Sequence, residues 1–344
     1  MIALSLFLIL NFLFLVIFFI LFNISFKINL LDFPDNRKIH SQPIPTIGGL
    51  LIYITLIFFS FFYEYNNEII IFIYVSSIII LIGFLDDLFE INYLIRLIIQ
   101  TISCLIIIYY GTYIKSLGDY TFQNSLLFNI DNLKLSGVIL SVFALLCLVN
   151  AFNFIDGIDG LASSLIIISG LTLLAFSFIY SNFIISSHIF LILFIYLNFL
   201  FLVFNKGIFL KFKIFYGDTG STLIGFVFGW ILIHYADTNQ SFIHPVLAIW
   251  CITLPIYDFL YVIIHRIQKK VNPFKPDNNH IHHILLEKLN SNNKTLIIII
   301  LISLFLNSIG ILTFYFVGSF VCLIIYVFLF ILYFFSLNKI RYKF

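Results

Sequence analysis

The sequence predicts an all-α, polytopic membrane protein with about eleven (ten or eleven) transmembrane helices, an external N-terminus and a cytoplasmic C-terminus. Composition supports this class, because 62% of the 344 residues are hydrophobic and only 10% are charged. A soluble globular domain carries about a quarter charged residues, so this chain has too little polar surface to be one. Apolar runs of roughly 17–25 residues, the length of a membrane-spanning helix, recur along the chain.

The predicted spans are separated by short polar or glycine-containing connections. They cover residues 2–26, 46–63, 69–85, 92–110, 135–151, 160–180, 184–204, 219–235, 243–265, 295–316 and 319–338. The first run has no basic residue ahead of it and no small-residue cleavage signal, which favours a retained span over a signal peptide. We therefore expect residues 1–344 to form one integral membrane domain.

Basic residues are distributed unequally between the two sets of alternate connections. One set holds sixteen of the 18 Lys and Arg residues, and the opposite set holds only Lys115 and Lys134. Loops rich in Lys and Arg stay in the cytoplasm, so the first set is predicted to be cytoplasmic. The cytoplasmic loops that would carry a catalytic site are about 27–46, 85–92, 150–160, 205–219 and 265–295.

The acidic clusters of the chain lie in these cytoplasmic loops. Asp86 and Asp87 end the third span, where two adjacent negative charges repel each other and the charge rule favours Lys or Arg. A bound cation would relieve that repulsion, and the alternative is that the pair only ends a helix at the interface. Asp218, in the GDTGS segment, either caps the next helix or marks a helix N-terminus that binds phosphate.

The segment NAFNFIDGIDGLA carries a polar residue at every third position: Asn150, Asn153, Asp156 and Asp159. Residues three apart are neighbours on one face of a helix, and the intervening glycines let a ligand approach the backbone closely. Four polar side chains beside an apolar span are costly without partners, and helix capping needs only one or two of them. We therefore predict a functional role for this motif.

The last large cytoplasmic loop contains His280, His282 and His283 close to Arg266. A zinc site would need three or four nitrogen or sulfur ligands, and no cysteine is nearby. The carboxylates elsewhere favour Mg²⁺, which prefers oxygen ligands. Contacts to a phosphate or a sugar are therefore preferred for these histidines, with metal ligation and a solvated loop as the alternatives.

The loop before the second span carries Arg37, Lys38 and His40, followed by a Gly-Gly pair at its end. Basic side chains at the depth of the lipid headgroups attract a lipid phosphate. The alternative is an ordinary basic loop at the membrane interface, without a role in binding.

Five motifs follow one another in order: PDNRKIHSQPIPTIGG, the pair Asp86 and Asp87, NAFNFIDGIDGLA, GDTGS and PFKPDNNHIHH. With these motifs the chain resembles the polyprenyl-phosphate N-acetylhexosamine-1-phosphate transferases (glycosyltransferase family 4), and among them the bacterial undecaprenyl-phosphate GlcNAc-1-phosphate transferases. The sibling phospho-MurNAc-pentapeptide transferases carry a Lys where residues 88–90 here are Leu-Phe-Glu, and three consecutive histidines where this chain has His-Ile-His-His. Asn278 stands where the GlcNAc branch often has Arg, which leaves the transferred sugar open.

The resemblance implies a role for each candidate residue. Asp218 is implied as a direct ligand of Mg²⁺ or Mn²⁺, with Asn153 close to the metal. The acidic residues with an implied catalytic or nucleotide-sugar role are Asp86, Asp87, Asp156 and Asp159. The residues expected to bind substrate or phosphate are Arg37, Lys38, His40, Asn150, Arg266, His280, His282 and His283.

The activity that the resemblance implies is transfer of HexNAc-1-phosphate, preferably GlcNAc-1-phosphate, from a UDP-sugar to undecaprenyl phosphate. Undecaprenyl-diphospho-HexNAc and UMP would be the products, in the first membrane step of a cell-surface glycan such as O-antigen or teichoic acid. The expected place is the bacterial inner membrane with the site on its cytoplasmic face, with membrane lipid as a partner, no nucleic acid and a homodimer as a candidate assembly. Phosphoryl transfer depends on positioning and charge stabilisation, so one in-line displacement is favoured over a covalent aspartyl-phosphate. The alternative functions are the sibling pentapeptide transferase and an ion-coupled transporter, whose charges would lie near the bilayer midplane.

Overall fold

The computed structural model describes residues 2–34, 42–61, 67–123, 125–181, 184–208, 212–237, 242–272 and 279–342, and it is mostly helical. The helices, numbered in chain order, are α1 (Ile2–Lys27), α2 (Gly48–Ser60), α3 (Asn67–Phe89), α4 (Tyr93–Tyr109), α5 (Leu135–Ile155), α6 (Leu161–Tyr180), α7 (Ile189–Asn205), α8 (Gly217–Tyr235), α9 (Pro245–Cys251), α10 (Thr253–Gln268), α11 (Ile281–Leu289), α12 (Asn292–Val317) and α13 (Ser319–Tyr342). A short 3-10 helix, Ile185–His188, precedes α7.

Every predicted span coincides with one of these helices or with a consecutive pair of them. In the described part of the chain, seven helices are long and apolar enough to cross a membrane, or eight if the bent pair of α9 and α10 counts as one span. The apolar helices α2 and α4 have 13 and 17 residues, which is shorter than the roughly 20 residues of a typical span. The chain is therefore a multi-pass membrane protein, whereas the predicted number of eleven spans is not reached on length and composition.

The predicted span 243–265 is broken into two helices that meet at an angle of 76°. Pro255 lies in the first turn of α10, where a proline has no N–H to continue the hydrogen bonding of a preceding helix. At the start of α9, Pro245 takes the first helical position and the His244 side chain accepts a hydrogen bond from Val246 N at 3.2 Å. The sequence pattern showed the apolar run but not this bend.

Helix α8 lies in the centre of the molecule and packs against α2, α3 and α5. Almost every one of its residues after Asp218 is buried, as expected of a helix that is apolar on all sides. In its middle, the Trp230 ring stacks on Phe72 of α3 with a centroid distance of 4.3 Å. By contrast, α1 and α13 expose Phe12 (68%) and Phe335 (65%), as helices that face lipid would.

Two short antiparallel strand pairs depart from the all-α prediction. Strands β1 (Leu31–Asp32) and β2 (Ile44–Pro45) pair with each other before α2. Strands β3 (Gly118–Phe122) and β4 (Ser125–Ile130) form a hairpin within the predicted external stretch 111–134. The sequence does not predict this hairpin, because its strands are brief and no Asn-Gly or Asp-Gly turn signal precedes β4.

The β3–β4 hairpin and the first residues of α8 lie at opposite ends of the helical body. Beside the hairpin, Lys115 Nζ forms an ion pair with Asp237 Oδ2 at 2.6 Å, just beyond the end of α8. The 19 residues of α8 span about 28 Å at 1.5 Å per residue, which matches the roughly 30 Å hydrocarbon core of a bilayer. The acidic motifs are thus separated from the hairpin by about the thickness of a membrane.

Candidate active site

A cleft of ≈ 570 Å³ opens at the end of the body where α3 and α5 end and α8 begins. Its wall combines carboxylates, amides and one lysine with a few apolar side chains. The lining residues are Asp32, Thr46, Asp87, Asn153, Asp156, Gly157, Ile158, Asp159, Asn205, Lys213, Phe215, Gly217, Asp218, Ser221, His283, Leu286 and Asn292. Residues from all five sequence motifs therefore line one cavity, since Thr46 belongs to the first motif and His283 to the last.

The Asp87 carboxylate caps the N-terminus of α8 from another helix. Its Oδ1 accepts a hydrogen bond from Asp218 N at 2.7 Å, and its Oδ2 accepts from Thr219 N at 3.1 Å and Thr219 Oγ1 at 2.5 Å. The first N–H groups of a helix lack partners within the helix, and the helix dipole favours a negative charge there. Asp87, predicted as catalytic, is therefore engaged in fixing the position of α8.

Gly217 makes this contact between helices possible. Its φ of +69° lies in the left-handed region, and a Cβ at this position would lie 2.5 Å from Asp87 Oδ2. Only glycine tolerates that backbone conformation without strain. The GDTGS motif thus needs a glycine before Asp218 because Asp87, 130 residues earlier in the chain, occupies the space of a side chain.

Asp86 points away from Asp87 and forms an ion pair with Arg96 of α4. Its other oxygen accepts a hydrogen bond from Ile91 N at 2.8 Å. The same Arg96 Nη1 lies 3.5 Å from Asp218 Oδ1, so the guanidinium bridges two carboxylates. The sequence predicts Arg96 only as a cytoplasmic cation, because nothing in its local sequence shows which carboxylates it contacts.

Asp218 is the most exposed of these carboxylates, at 39% of its side chain. Asn153 Nδ2 donates to Asp218 Oδ1 at 2.5 Å and to Ser221 Oγ at 2.9 Å. The amide nitrogen of Asn153, not its oxygen, therefore faces Asp218. In this arrangement Asn153 orients the carboxylate, whereas a metal-ligand role would require its amide oxygen.

Asp156 follows the last residue of α5 and accepts no hydrogen bond from the part of the chain that the structure describes. Burial, together with the negative charges of Asp218, Asp159 and Asp87, raises the pKa of Asp156 from 3.8 to about 7. A carboxylate with unrelieved repulsion from its neighbours favours a bound cation. The unfavourable environment of the ionised Asp156 carboxylate is the feature of the cleft that most directly indicates a cation site.

Asp159 is paired with Lys213, another residue that sequence analysis did not single out. Lys213 Nζ lies 2.6 Å from Asp159 Oδ2, and both side chains are about one quarter exposed. Lys213 is also 5.1 Å from the centroid of the Phe215 ring. Because Lys213 lies five residues before Asp218, its position in the KFKIFYGDTGS run is the one local signal that could have found it.

The three histidines occupy different environments. His280 Nδ1 forms a 2.7 Å hydrogen bond with Asp258 Oδ2, and both residues are buried. Among the described residues, neither ring nitrogen of the fully buried His282 has a hydrogen-bond partner. Burial, with His283 and His280 nearby, holds the pKa of His282 well below the usual range. Its ring lies so close to Gly157 that a side chain there would overlap it. Only His283 of the three lines the cleft.

Besides His280 and His282, two further predicted substrate-binding residues lie outside the cleft wall. Arg266 is buried with its guanidinium 5.5 Å from the Phe154 ring centroid. Asn150 Nδ2 donates to Leu146 O at 2.8 Å and contacts Gln100 at 3.4 Å, beside a separate small cavity. Asn150 faces Gln100 of α4, which packs against α5, and therefore does not reach the cleft.

Arg37, Lys38 and His40 lie outside the described residues, so the structure assigns them no place relative to the cleft. The adjoining residues Asp32 and Thr46 line it. The interpretation of this loop therefore stays a prediction.

The donors of the cleft fit a hard divalent cation. Mg²⁺ uses one or two carboxylates and completes its octahedron with water and substrate phosphates. Asp218 and Asp156 supply that number of carboxylates at the cleft, and burial first, with the neighbouring carboxylates second, raises the pKa of Asp156. Within the described ranges, no group of three or more His, Cys, Asp or Glu side chains forms a ready-made metal site.

Comparison with known proteins decides the family. The sequence pattern of "Glycosyl transferase family 4" matches residues 69–236, which include Asp86, Asp156 and Asp218. A protein of Escherichia coli O157:H7 is 32% identical over 318 residues, covering 91% of this chain and 85% of its own length. The chain belongs to glycosyl transferase family 4.

The similar proteins share one name across distant bacteria. The E. coli protein is called undecaprenyl-phosphate alpha-N-acetylglucosaminyl 1-phosphate transferase. Proteins of the same name in Yersinia pestis (29% identical, covering 93% of this chain and 87% of theirs) and Thermotoga maritima (30%, 86% and 87%) also match. The family assignment made from five motifs is thereby confirmed.

We expect Gly217→Ala to destabilise the protein, because the new methyl group meets Asp87 at a positive φ. Gly207→Ala is the matched control, since Gly207 has a φ of +67° but no heavy atom closer than 3.7 Å to its would-be Cβ. The control should lose only about 1 kcal/mol for the left-handed backbone. Thermal unfolding in detergent measures the stability of both variants, and equal losses of stability would show that the contact with Asp87 is unimportant.

We expect Asp156→Asn to stabilise the metal-free protein at pH 8. A carboxyl whose pKa is about 7 in the folded state and 3.8 when unperturbed makes the wild type lose stability as the pH rises between these values. Asparagine removes this loss, whereas Asp159→Asn should not, because Asp159 is paired with Lys213. Thermal unfolding with EDTA from pH 5 to pH 8 tests this, and an Asp156→Asn variant whose midpoint changes with pH in parallel with that of the wild type would contradict it.

Proposed function

We propose that this protein transfers GlcNAc-1-phosphate from UDP-GlcNAc to undecaprenyl phosphate and releases UMP. The observation that carries the proposal is the convergence of Asp87, Asp156, Asp159 and Asp218 on one cleft at one end of a multi-pass membrane body. The shared name of the relatives supports both the donor group and the lipid acceptor. The product would begin assembly of a cell-surface glycan such as O-antigen or teichoic acid.

The cleft is suited to two negatively charged substrates because it offers cations as well as carboxylates. Lys213 lines it, and Arg96 reaches its edge through Asp218. Fixed positive groups placed where charge develops are the main catalytic resource of phosphoryl transfer. We assign Lys213 and Arg96 to the phosphates and His283, which also lines the cleft, to the sugar or pyrophosphate.

A divalent cation, Mg²⁺ or Mn²⁺, is proposed as the cofactor, held by Asp218 with Asp156 as its neighbour. When bound, such an ion neutralises phosphate oxygens and polarises the phosphorus that is attacked. Asn153 holds Asp218 Oδ1 from one side and Arg96 approaches it from another. Asp218 is therefore presented to the cleft in one orientation before any ligand enters.

The proposed reaction is one in-line displacement. An oxygen of the lipid phosphate forms a bond to the β-phosphorus of the donor, and the bond from that phosphorus to the bridging oxygen breaks, so that UMP leaves with this oxygen. A general base is unnecessary, because a phosphate monoester is largely ionised near pH 7 (second pKa about 6). This agrees with Asp86 and Asp87, whose oxygens hold Arg96 and the start of α8.

Arg37, Lys38 and His40, with the basic loop that carries them, are proposed to attract the lipid phosphate. Asp32 and Thr46, which flank this loop in sequence, lie at the cleft. A basic segment beside the membrane surface favours an anionic headgroup. The acceptor would then enter from the bilayer on this side of the cleft.

We propose the bacterial inner membrane as the location, with eleven spans, an external N-terminus and a cytoplasmic cleft. The charge split of sixteen to two between alternate connections supports this orientation. The position of Lys115 at the end opposite to the cleft agrees with it. The same segregation of charge disfavours an ion-coupled transporter, whose charged residues would lie at the midplane.

Purified protein with UDP-GlcNAc, undecaprenyl phosphate and Mg²⁺ should release UMP, and Asp218→Asn should lower that rate by about a hundredfold or more. Asp119→Asn makes the same chemical change at the far end, in the exposed hairpin, and should leave the rate unchanged, as should Lys115→Gln. Coupled detection of UMP measures all four proteins. Full activity of the Asp218 variant would refute the assigned metal ligand.

Single cysteines at Asn129 in the hairpin and at Lys288 in α11 should report the orientation, since both side chains are exposed. The four native cysteines are buried and should not react with the label. A membrane-impermeant maleimide added to intact cells with a permeabilised outer membrane should label Asn129→Cys only. Labelling of Lys288→Cys under these conditions would reverse the proposed topology.

A further inference from the structure

Asp258 is a carboxylate buried inside the membrane body, with an exposed fraction of 1%. It lies in α10 and accepts three hydrogen bonds from two other parts of the chain. The donors are His280 Nδ1 at 2.7 Å, Ile281 N at 2.8 Å and Tyr333 Oη at 3.2 Å. A buried charge in a membrane protein is costly and is retained where it has a specific task.

The task that the contacts define is to hold the N-terminus of α11. No side chain of α11 or of its N-cap residue His280 caps this helix, although its first N–H groups need acceptors. Asp258 supplies the acceptor from α10 and also orients the His280 ring. Tyr333 of α13 in turn fixes the carboxylate, so three helices meet at this one group.

The residues that follow carry the start of α11 into the cleft. The His280 and His282 rings stack with a centroid distance of 5.7 Å, and the His282 and His283 rings are 4.1 Å apart. His282 is pressed against Gly157, and His283 lines the cleft beside Asp156 and Asp159. A displacement of residues 280–281 would therefore move His283 at the cleft and, through His282, the segment around Gly157.

We propose that Asp258 is a positioning residue for the transferase reaction, acting on the donor site through the N-terminus of α11. The proposal rests on the proposed function. Asp258 does not line the cleft, so its effect reaches the substrate through the backbone of residues 280–283. Donor binding is affected more than acceptor binding, because α11 lies at the side of the cleft that Asp156 and Asp159 form.

A proton relay through the Asp258–His280 pair is disfavoured by the surroundings of the ring. His280 is 4% exposed, and the Phe154 ring lies 5.6 Å from it while His282 stacks on it. A relay needs a path from the imidazole to a reacting group within hydrogen-bond reach. The arrangement favours a structural connection, in which the acceptor geometry of residue 258 matters more than its charge.

Asp258→Asn and Asp258→Ala separate these roles. Asparagine keeps an acceptor for Ile281 N, and His280 can accept from the new amide in its other tautomer. We expect the Asn variant to retain kcat/KM for UDP-GlcNAc within about threefold, while the Ala variant loses about a hundredfold, the scale of a 1 Å misplacement. The loss should appear as a raised donor KM with an unchanged KM for undecaprenyl phosphate. An Asn variant as impaired as the Ala variant would overturn positioning in favour of a role for the charge.

Hydrogen exchange provides a readout that does not depend on the reaction. In Asp258→Ala the amides of residues 281–283 should exchange faster, while those of α8 keep the wild-type rate. Unchanged exchange at 281–283 overturns the proposal even if activity falls. If the wild type releases no UMP at all, the proposed function fails while the exchange result still decides whether Asp258 holds α11.

Tyr333→Phe tests the same contact without removing the carboxylate, in case the Ala variant does not fold. It should raise the donor KM about threefold, because two of the three hydrogen bonds remain. Tyr257→Phe is the matched control, since Tyr257 precedes Asp258 and donates its hydroxyl to Tyr326 O instead. Equal effects of the two Phe variants on donor KM would contradict the specific role of Asp258.

Discussion

The contact on which the rest of the cleft depends is the cap that Asp87 provides for α8. Helix α8 is the buried centre of the molecule, and its N-terminus needs acceptors for its first N–H groups at the depth where the membrane body ends. Asp87 brings those acceptors from α3, and Gly217 leaves space for them. Once α8 is held in this way, Asp218 in its first turn has to face the cleft.

The same device recurs where Asp258 of α10 caps α11. In both cases a carboxylate on one helix satisfies the backbone at the start of another, so an otherwise costly buried charge becomes a connection between helices. Each connection places catalytic candidates at or just after the capped N–H, Asp218 itself in the first case and His282 and His283 in the second. The scaffold and the site are therefore built from neighbouring residues of the same motifs.

Charge balance divides the remaining acidic residues into two kinds. Asp86 and Asp159 are paired with Arg96 and Lys213, and they contribute their charge to local structure. Asp156 has no such partner in the described part of the chain, and burial beside other carboxylates raises its pKa to about 7. The excess negative charge is thus concentrated where a cation and the substrate phosphates would compensate it.

The sequence by itself determined the membrane class, the approximate position of each apolar span and the acidic motifs that meet at one end, because apolar run length and local charge are properties of neighbouring residues. Helix α11 lies in a stretch, 265–295, that the sequence predicts as a loop. The sequence could not determine the bend before Pro255 or the hairpin. Nor could it distinguish Asp86 from Asp87, whose partners lie on different helices: Asp87 bonds Asp218, 131 residues away. Only the tertiary structure decided which carboxylates hold helices and which face the cleft, because contacts between distant segments leave no local pattern in the chain.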